Sequence, residues 1–154
     1  MPVIKIIEHI DASPEVVWNF ISDVHRGPEW VTVMKDVLYV SEGEFGQGSI
    51  YRELSKIGPK ESETEWHITR FEPPHVQVHE CQESTLQATL TMRVEPDGNG
   101  ARLIHQTEYQ LMPVFRPLGW VLEKLFAYRM MRSEFQQSVQ NAKQLIEREY
   151  VAAR

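Results

Sequence analysis

Residues 86–111 place the tightest constraint on how this chain can fold. Leu86, Ala88, Leu90, Met92 and Val94 alternate with Gln87, Thr89, Thr91 and Arg93. A period of two sends each set to its own face, so the segment reads as a half-buried strand with one wet face. The turn "PDGNG" follows. A hairpin register across it sets Leu103, His105, Thr107, Tyr109 and Leu111 beside the apolar set. His105, Thr107 and Tyr109 are therefore expected on the interior face of a sheet.

The same period recurs upstream. Asp36–Glu42, Ser49–Ser55, Glu63–Phe71, Val76–Cys81, Thr85–Glu95 and Arg102–Leu111 are strand candidates, separated by "EGEFGQG", "KIGPK", "EPPH", "CQES" and "PDGNG". Links this short favour an antiparallel meander. Val3–Asp11 reads as an earlier strand, with Ile4, Ile6 and Ile10 facing inward and Glu8 carried along on the same parity. Asp11 or Ser13 can cap a following helix, Pro14 suits its first turn, and Glu15 suits its positive end. Val16, Val17, Phe20 and Ile21 supply the buried face of that helix, and "HRGPEW" ends it and opens a second short one near Pro28.

Past Pro113 the period lengthens. Pro117 to about Glu149 holds no proline, and Val121, Leu125, Tyr128, Phe135, Val139 and Ile146 form a stripe at helical spacing. The sheet is the only large apolar surface on which such a helix can bury that stripe. The expected fold is α+β: a curved antiparallel sheet wrapped around a long C-terminal helix, with two short helices after the first strand. Such a wrap can leave a cavity, which Trp18 and Trp30 can plug and flank at one end. Residues 1–154 contain neither an internal repeat nor a linker, so one domain is expected.

The formal charge of −6 lacks the basic footprint of a nucleic-acid binder. Cys81 is the only cysteine, which excludes an intrachain disulfide and a thiolate metal site. No apolar run approaches the roughly 20 residues of a spanning helix, and "MPVIKIIEHI" carries charges that a signal peptide's core does not. A cytoplasmic location, no stable membrane insertion, and a monomer or weak homodimer are the expectations. His75 and His79 would lie about 13 Å apart on a strand, too far for one ion, while His67 and His79 are expected to face solvent. "GEFGQGS" joins strands and opens no helix, so it is a turn and not a phosphate cradle. No Gly-x-Ser-x-Gly is present. No metal and no cofactor are expected.

"IDASPEVVWNFISDVHRGPEW", "GQGSIYREL", "RFEPPHVQVHE" and "PDGNGARLIHQTEYQL" occur in this order. With them the chain resembles the START-like (SRPBCC) superfamily, in its polyketide cyclase/dehydrase and lipid-transport branch, from about residue 3 to about residue 149. The resemblance implies a helix-grip fold, a seven-stranded sheet with the C-terminal helix across it. It also implies a container for lipids, hormones, polyketides or quinones, without a shared catalytic motif.

Candidate ligand contacts follow from these faces. Trp30 stands at the rim, and the fourth and fifth strands offer Trp66, Ile68, Val78 and Glu80. The hairpin contributes Leu90, Met92, His105, Thr107 and Tyr109, and the helix Leu122, Leu125, Tyr128 and Arg132. Arg132 occupies a stripe position where leucine is expected, so its guanidinium is placed to clamp a ligand carboxylate or phosphate, to pair with an interior glutamate, or to snorkel to water on its stem. Glu80, carried inward with Val76 and Val78, is the expected partner of Arg132 or Arg70. His105, Tyr109 and Glu80 are the acid–base candidates should the cavity host an aldol closure or dehydration. Otherwise they line it. "MPVFRPLGWVLEKLFAYRMMR" is apolar and locally basic, suited either to a lid or to transient membrane contact.

The leading reading is a carrier of a hydrophobic small molecule. Its competitors are a cyclase or dehydratase acting on a polyketide-like substrate and an interaction module with a filled core.

Overall fold

The computed structural model describes residues 1–84, 86–111 and 120–152. Strand β1 (Val3–Ile10) is followed by α1 (Pro14–Ser22), a single 3-10 turn (Val24–Arg26) and α2 (Gly27–Trp30). Strands β2 (Met34–Val40), β3 (Ile50–Ile57), β4 (Lys60–Glu72), β5 (Val76–Gln82), β6 (Leu86–Asp97) and β7 (Gly100–Leu111) come next, then α3 (Trp120–Ala152). The expected starts of the sixth strand at Thr85 and of the terminal helix at Pro117 lie outside the described residues.

The strands form one seven-stranded sheet in the order β1-β7-β6-β5-β4-β3-β2, antiparallel at every step. The architecture is a helix grip. Ser13 caps α1 as expected, its hydroxyl accepting from the Val16 amide at 3.3 Å. Val17, Trp18, Phe20 and Ile21 are the buried residues of α1. The hairpin register is also the expected one: Met92 faces His105, Leu90 faces Thr107 and Ala88 faces Tyr109.

The parity of β5 is the reverse of the expectation. Pairing to β6 sets Gln77 beside Met92, His79 beside Leu90 and Cys81 beside Ala88, so these three turn inward and are buried. Val78 and Glu80 point outward and are partly exposed. Local alternation could not reveal this, because both faces of β5 mix apolar and polar residues. A β-bulge between Ile68 and Arg70 completes the shift, keeping Ile68 inside and leaving Arg70 outside, paired with Glu72.

Helix α3 is held along only part of its length. Phe135, Val139, Ala142 and Ile146 are buried, and α3 packs on β1, α1 and α2. Polar ties cluster on the same part. Gln140 Nε2 donates to Glu8 Oε2 at 2.7 Å and Lys143 Nζ to the His9 carbonyl at 2.6 Å. Ser138 Oγ accepts from the Thr32 amide at 3.0 Å, and Arg26 grips Glu149 through two nitrogens. Val121 and Leu125, expected to be buried with the stripe, are 65% and 53% exposed, and Leu122 and Phe126 are exposed as well.

Gly100 marks the tightest backbone approach. A Cβ there would stand 2.4 Å from the Ile10 carbonyl oxygen, which belongs to the β1 backbone and cannot swing aside. Gly100→Ala should therefore cost about 1–3 kcal/mol, the range of an overpacked site. Urea unfolding would show this as a lowered midpoint at unchanged slope.

Candidate functional site

Two polar zones sit on the concave face of the sheet. The first is the β7 row. His105, Thr107 and Tyr109 occupy alternate positions of one strand and therefore share a face. Each is buried, opposite the apolar side chains of β6. His105 Nδ1, Thr107 Oγ1, Tyr109 Oη, Trp30 Nε1 and Trp66 Nε1 are buried without a hydrogen-bond partner among the described residues. An unpaired buried polar atom costs roughly 1–3 kcal/mol, so these five atoms are the costliest polar groups of the inner face.

The second zone spans β3 to β5 and is largely satisfied from within. Tyr51 Oη donates to His79 Nδ1 at 2.9 Å, and His79 Nε2 donates to Gln77 Oε1 at 2.8 Å. Gln77 Nε2 then donates to Ser22 Oγ at 2.9 Å. A neutral imidazole has one donor and one acceptor nitrogen, and this chain uses both. Beside it, Glu53 Oε1 accepts from Ser55 Oγ at 2.8 Å and from Thr64 Oγ1 at 3.3 Å. The Tyr51 ring stacks on Trp66 at 6.5 Å. Two surface grooves, both bordered by Ser22 and Phe45, lie apart from the unpaired atoms.

Burial sets the electrostatics. It pulls His105 down to about 4, and, with a smaller push from His105, pulls His79 down to about 3. Both imidazoles are thus neutral in the folded protein. Burial pushes the Tyr109 phenol and the Cys81 thiol up, the latter to about 11. Glu53 is raised by burial, against a pull from the Ser55 hydroxyl, from the nearby Trp66 indole and from Thr64.

Of the residues singled out in the sequence, the fold gathers Trp66, Ile68, Leu90, Met92, His105, Thr107 and Tyr109 on one inner face. Trp30 is buried against Phe20. Val78 and Glu80 are on the other face, and Leu122 and Leu125 are exposed. Tyr128 is half-buried. Arg132 is exposed, its Nη1 donating to Tyr128 Oη at 3.5 Å, and among the described residues it pairs with no interior carboxylate. His79, expected at the surface, is 3% exposed.

Tyr51, Glu53, Gln77 and His79 were not anticipated as interior residues. One signal for them was available. Cys81 is of the residue type most often buried, and period two from Cys81 selects His79 and Gln77.

A curved antiparallel sheet with a long C-terminal helix and two short helices after the first strand defines a helix-grip fold. The sequence agrees: residues 3–147 match the family described as polyketide cyclase / dehydrase and lipid transport, and the chain belongs to that family, of the START-like (SRPBCC) type. No curated protein matches the sequence.

Among solved structures, TTHA0849 from Thermus thermophilus is similar at 16% identity and a TM-score of 0.79, over 94% of this chain and 97% of that one. A START superfamily protein from Mycobacterium smegmatis is similar at 12% identity and a TM-score of 0.70, over 99% of each chain. The di-domain ARO/CYC StfQ of the steffimycin biosynthetic pathway is similar at 11% identity and a TM-score of 0.76, over 96% of this chain and 51% of that one. At these identities the likeness is one of fold. No helix among the described residues is long and apolar enough to cross a membrane.

The neutral histidines make stability depend on pH. In the unfolded chain both titrate near 6.5, so between about pH 6.5 and about pH 4 the unfolded state binds the additional protons. Stability therefore falls as pH falls through that window, by on the order of 3 kcal/mol per imidazole. Glu53, raised by burial, acts in the opposite sense. Urea midpoints measured across the window should drop steeply for the parent protein and less steeply for His105→Gln.

Proposed function

We propose that this chain binds and carries a hydrophobic small molecule between the concave face of the sheet and the N-terminal part of α3. The observation that carries the reading is the set of buried, unpaired polar atoms of His105, Thr107, Tyr109, Trp30 and Trp66, on a face whose other polar groups mostly satisfy one another. A ligand site has this composition, a greasy lining with a few polar groups that fix orientation. Partial exposure of Leu86, Leu90 and Trp66, all on the inner face, supports space in front of them. Trp30, Ile68, Met92 and Tyr128 fit the role of lining; Val78, Glu80, Leu122, Leu125 and Arg132 have no inward placement to support one.

The cyclase or dehydratase reading draws on His105, whose Nδ1 faces no protein partner. Its imidazole, held at about 4, is a weak general base at neutral pH, and Glu80 stands on the wrong face to assist it. Carriage without obligatory chemistry is the better fit.

Native mass spectrometry of the protein as purified from cells should reveal a bound small molecule. Leu90→Trp, which places an indole on the inner wall, should reduce that adduct at least tenfold without unfolding the chain. An adduct equally abundant in the variant overturns the location. A parent protein free of any adduct that also fails to bind added naphthalene hydrocarbons overturns carriage itself.

A further inference from the structure

The opening turns of α3 present four large apolar side chains to solvent: Val121, Leu122, Leu125 and Phe126, with Leu122 and Phe126 75% and 70% exposed. Helix geometry says which way they point. Phe126 precedes the buried Phe135 by nine residues, about two and a half turns, so the two stand on opposite sides of the helix. Leu122 lies one turn before Phe126, on the same side as it. Tyr128 and Met131 pack against the core and mark the side that faces the sheet. A closer approach of α3 to the sheet could cover Val121 and Leu125, but Leu122 and Phe126 would still face out.

Positive charge continues the same surface. Arg129 follows Leu122, Leu125 and Phe126 at i+7, i+4 and i+3, and Arg132 follows Leu125 at i+7. These are the spacings that line side chains up along one helix face. Both arginines are exposed, and among the described residues neither enters an ion pair. Residues 120–133 hold Lys124, Arg129 and Arg132 against Glu123 alone, in a chain whose formal charge is −6. The excess of cations is therefore local to this stretch of helix.

Charge and shape together select the occupant. A second copy would set two patches of the same sign against each other. A folded acidic protein would need a groove shaped to a convex ridge of four apolar side chains. A lipid surface needs no groove, because acyl chains flow around the ridge, and anionic headgroups answer the guanidinium groups. The dimensions agree. From Leu125 and Phe126 to Arg129 and Arg132 the helix rises roughly 5–10 Å, which is the depth to which an interfacial helix sinks its apolar side. A helix entering tilted, opening turns first, then holds both arginines at the level of the phosphates.

We propose that the opening turns of α3 dock on an anionic lipid surface, with Leu122, Leu125 and Phe126 among the acyl chains and Arg129 and Arg132 at the phosphates. The docking surface is on the outer side of the helix and does not rest on the carrier reading. No described helix is long and apolar enough to cross a membrane, and the contact proposed is a peripheral one.

The test is flotation of the full chain with two kinds of vesicle, phosphatidylcholine alone and phosphatidylcholine mixed equally with phosphatidylglycerol. Partitioning onto the anionic vesicles should be on the order of tenfold stronger, the scale of two basic side chains near a charged surface less the repulsion of an acidic chain. Added salt should shrink that difference. Arg129→Gln combined with Arg132→Gln should remove most of it. Leu122→Ser combined with Phe126→Ser should weaken partitioning onto the anionic vesicles about tenfold or more, as expected for two large apolar side chains withdrawn from the acyl boundary. All four positions are exposed, so the urea midpoint of each double variant should match the parent's, which separates lost docking from lost fold.

A parent protein that stays off the anionic vesicles overturns the proposal. If it also forms a dimer that Leu122→Ser with Phe126→Ser dissolves, the surface belongs to a second copy. Partitioning that both double variants retain in full overturns the proposal as well, since the contact would then lie elsewhere on the chain. Equal partitioning of the parent onto both kinds of vesicle overturns the role given to the arginines.

Discussion

The uneven anchoring of α3 governs the rest of the molecule. A helix of 33 residues is about 50 Å long, and the strand it packs on is β1, at one edge of the sheet. Apolar burial through Phe135, Val139, Ala142 and Ile146 fastens one part to β1 and the short helices. The polar ties from Ser138, Gln140, Lys143 and Glu149 lie along the same part. The opening turns, with Val121, Leu122, Leu125 and Phe126 exposed, stand away from the sheet. Had the apolar stripe been buried throughout, the inner faces of β3 to β6 would be sealed by the helix, and the wall would be ordinary core.

Because they are not sealed in that way, the inner face divides into two kinds of polar group. Those on β3 to β5 mostly satisfy one another: Tyr51 with His79, His79 with Gln77, Gln77 with Ser22, and Glu53 with two hydroxyls. Such networks rigidify a wall, since each member fixes the orientation of the next. Those on β7 are left open. On the carrier reading proposed above, a wall ordered in this way would bind without first having to order itself. The near-neutral interior follows from the same burial, which keeps both histidines uncharged and so limits what acid–base chemistry the site can support.

This division also explains why family membership constrains function loosely. The fold supplies a wall and a helix, and the inner positions that carry polar atoms differ from what the fold alone prescribes. Here they include two buried indole N–H groups, from Trp30 and Trp66, which can only donate.

The elements and most of their boundaries were legible in the sequence, as were the β6–β7 register and the interior row His105, Thr107 and Tyr109, because alternation in Leu86–Val94 is strict and the hairpin turn is short. The cap at Ser13 was legible for a similar reason: it is local chemistry between residues three apart. The β5 face was not. Val76 and Val78 suggest one parity and Cys81 the other, and only pairing with β6 decides between them, by bringing His79 to Leu90. The same decision sent Glu80 outward, and the bulge after Ile68 sent Arg70 out with it.

Arg132 shows the limit most plainly. Its place in the helical stripe is a matter of spacing, and spacing determined which side of α3 it occupies. How far that side comes to the sheet is settled by packing between segments more than a hundred residues apart, and at Arg132 it does not reach. Local periodicity records which residues share a face; what the face meets is set by long-range burial, which a linear pattern does not contain.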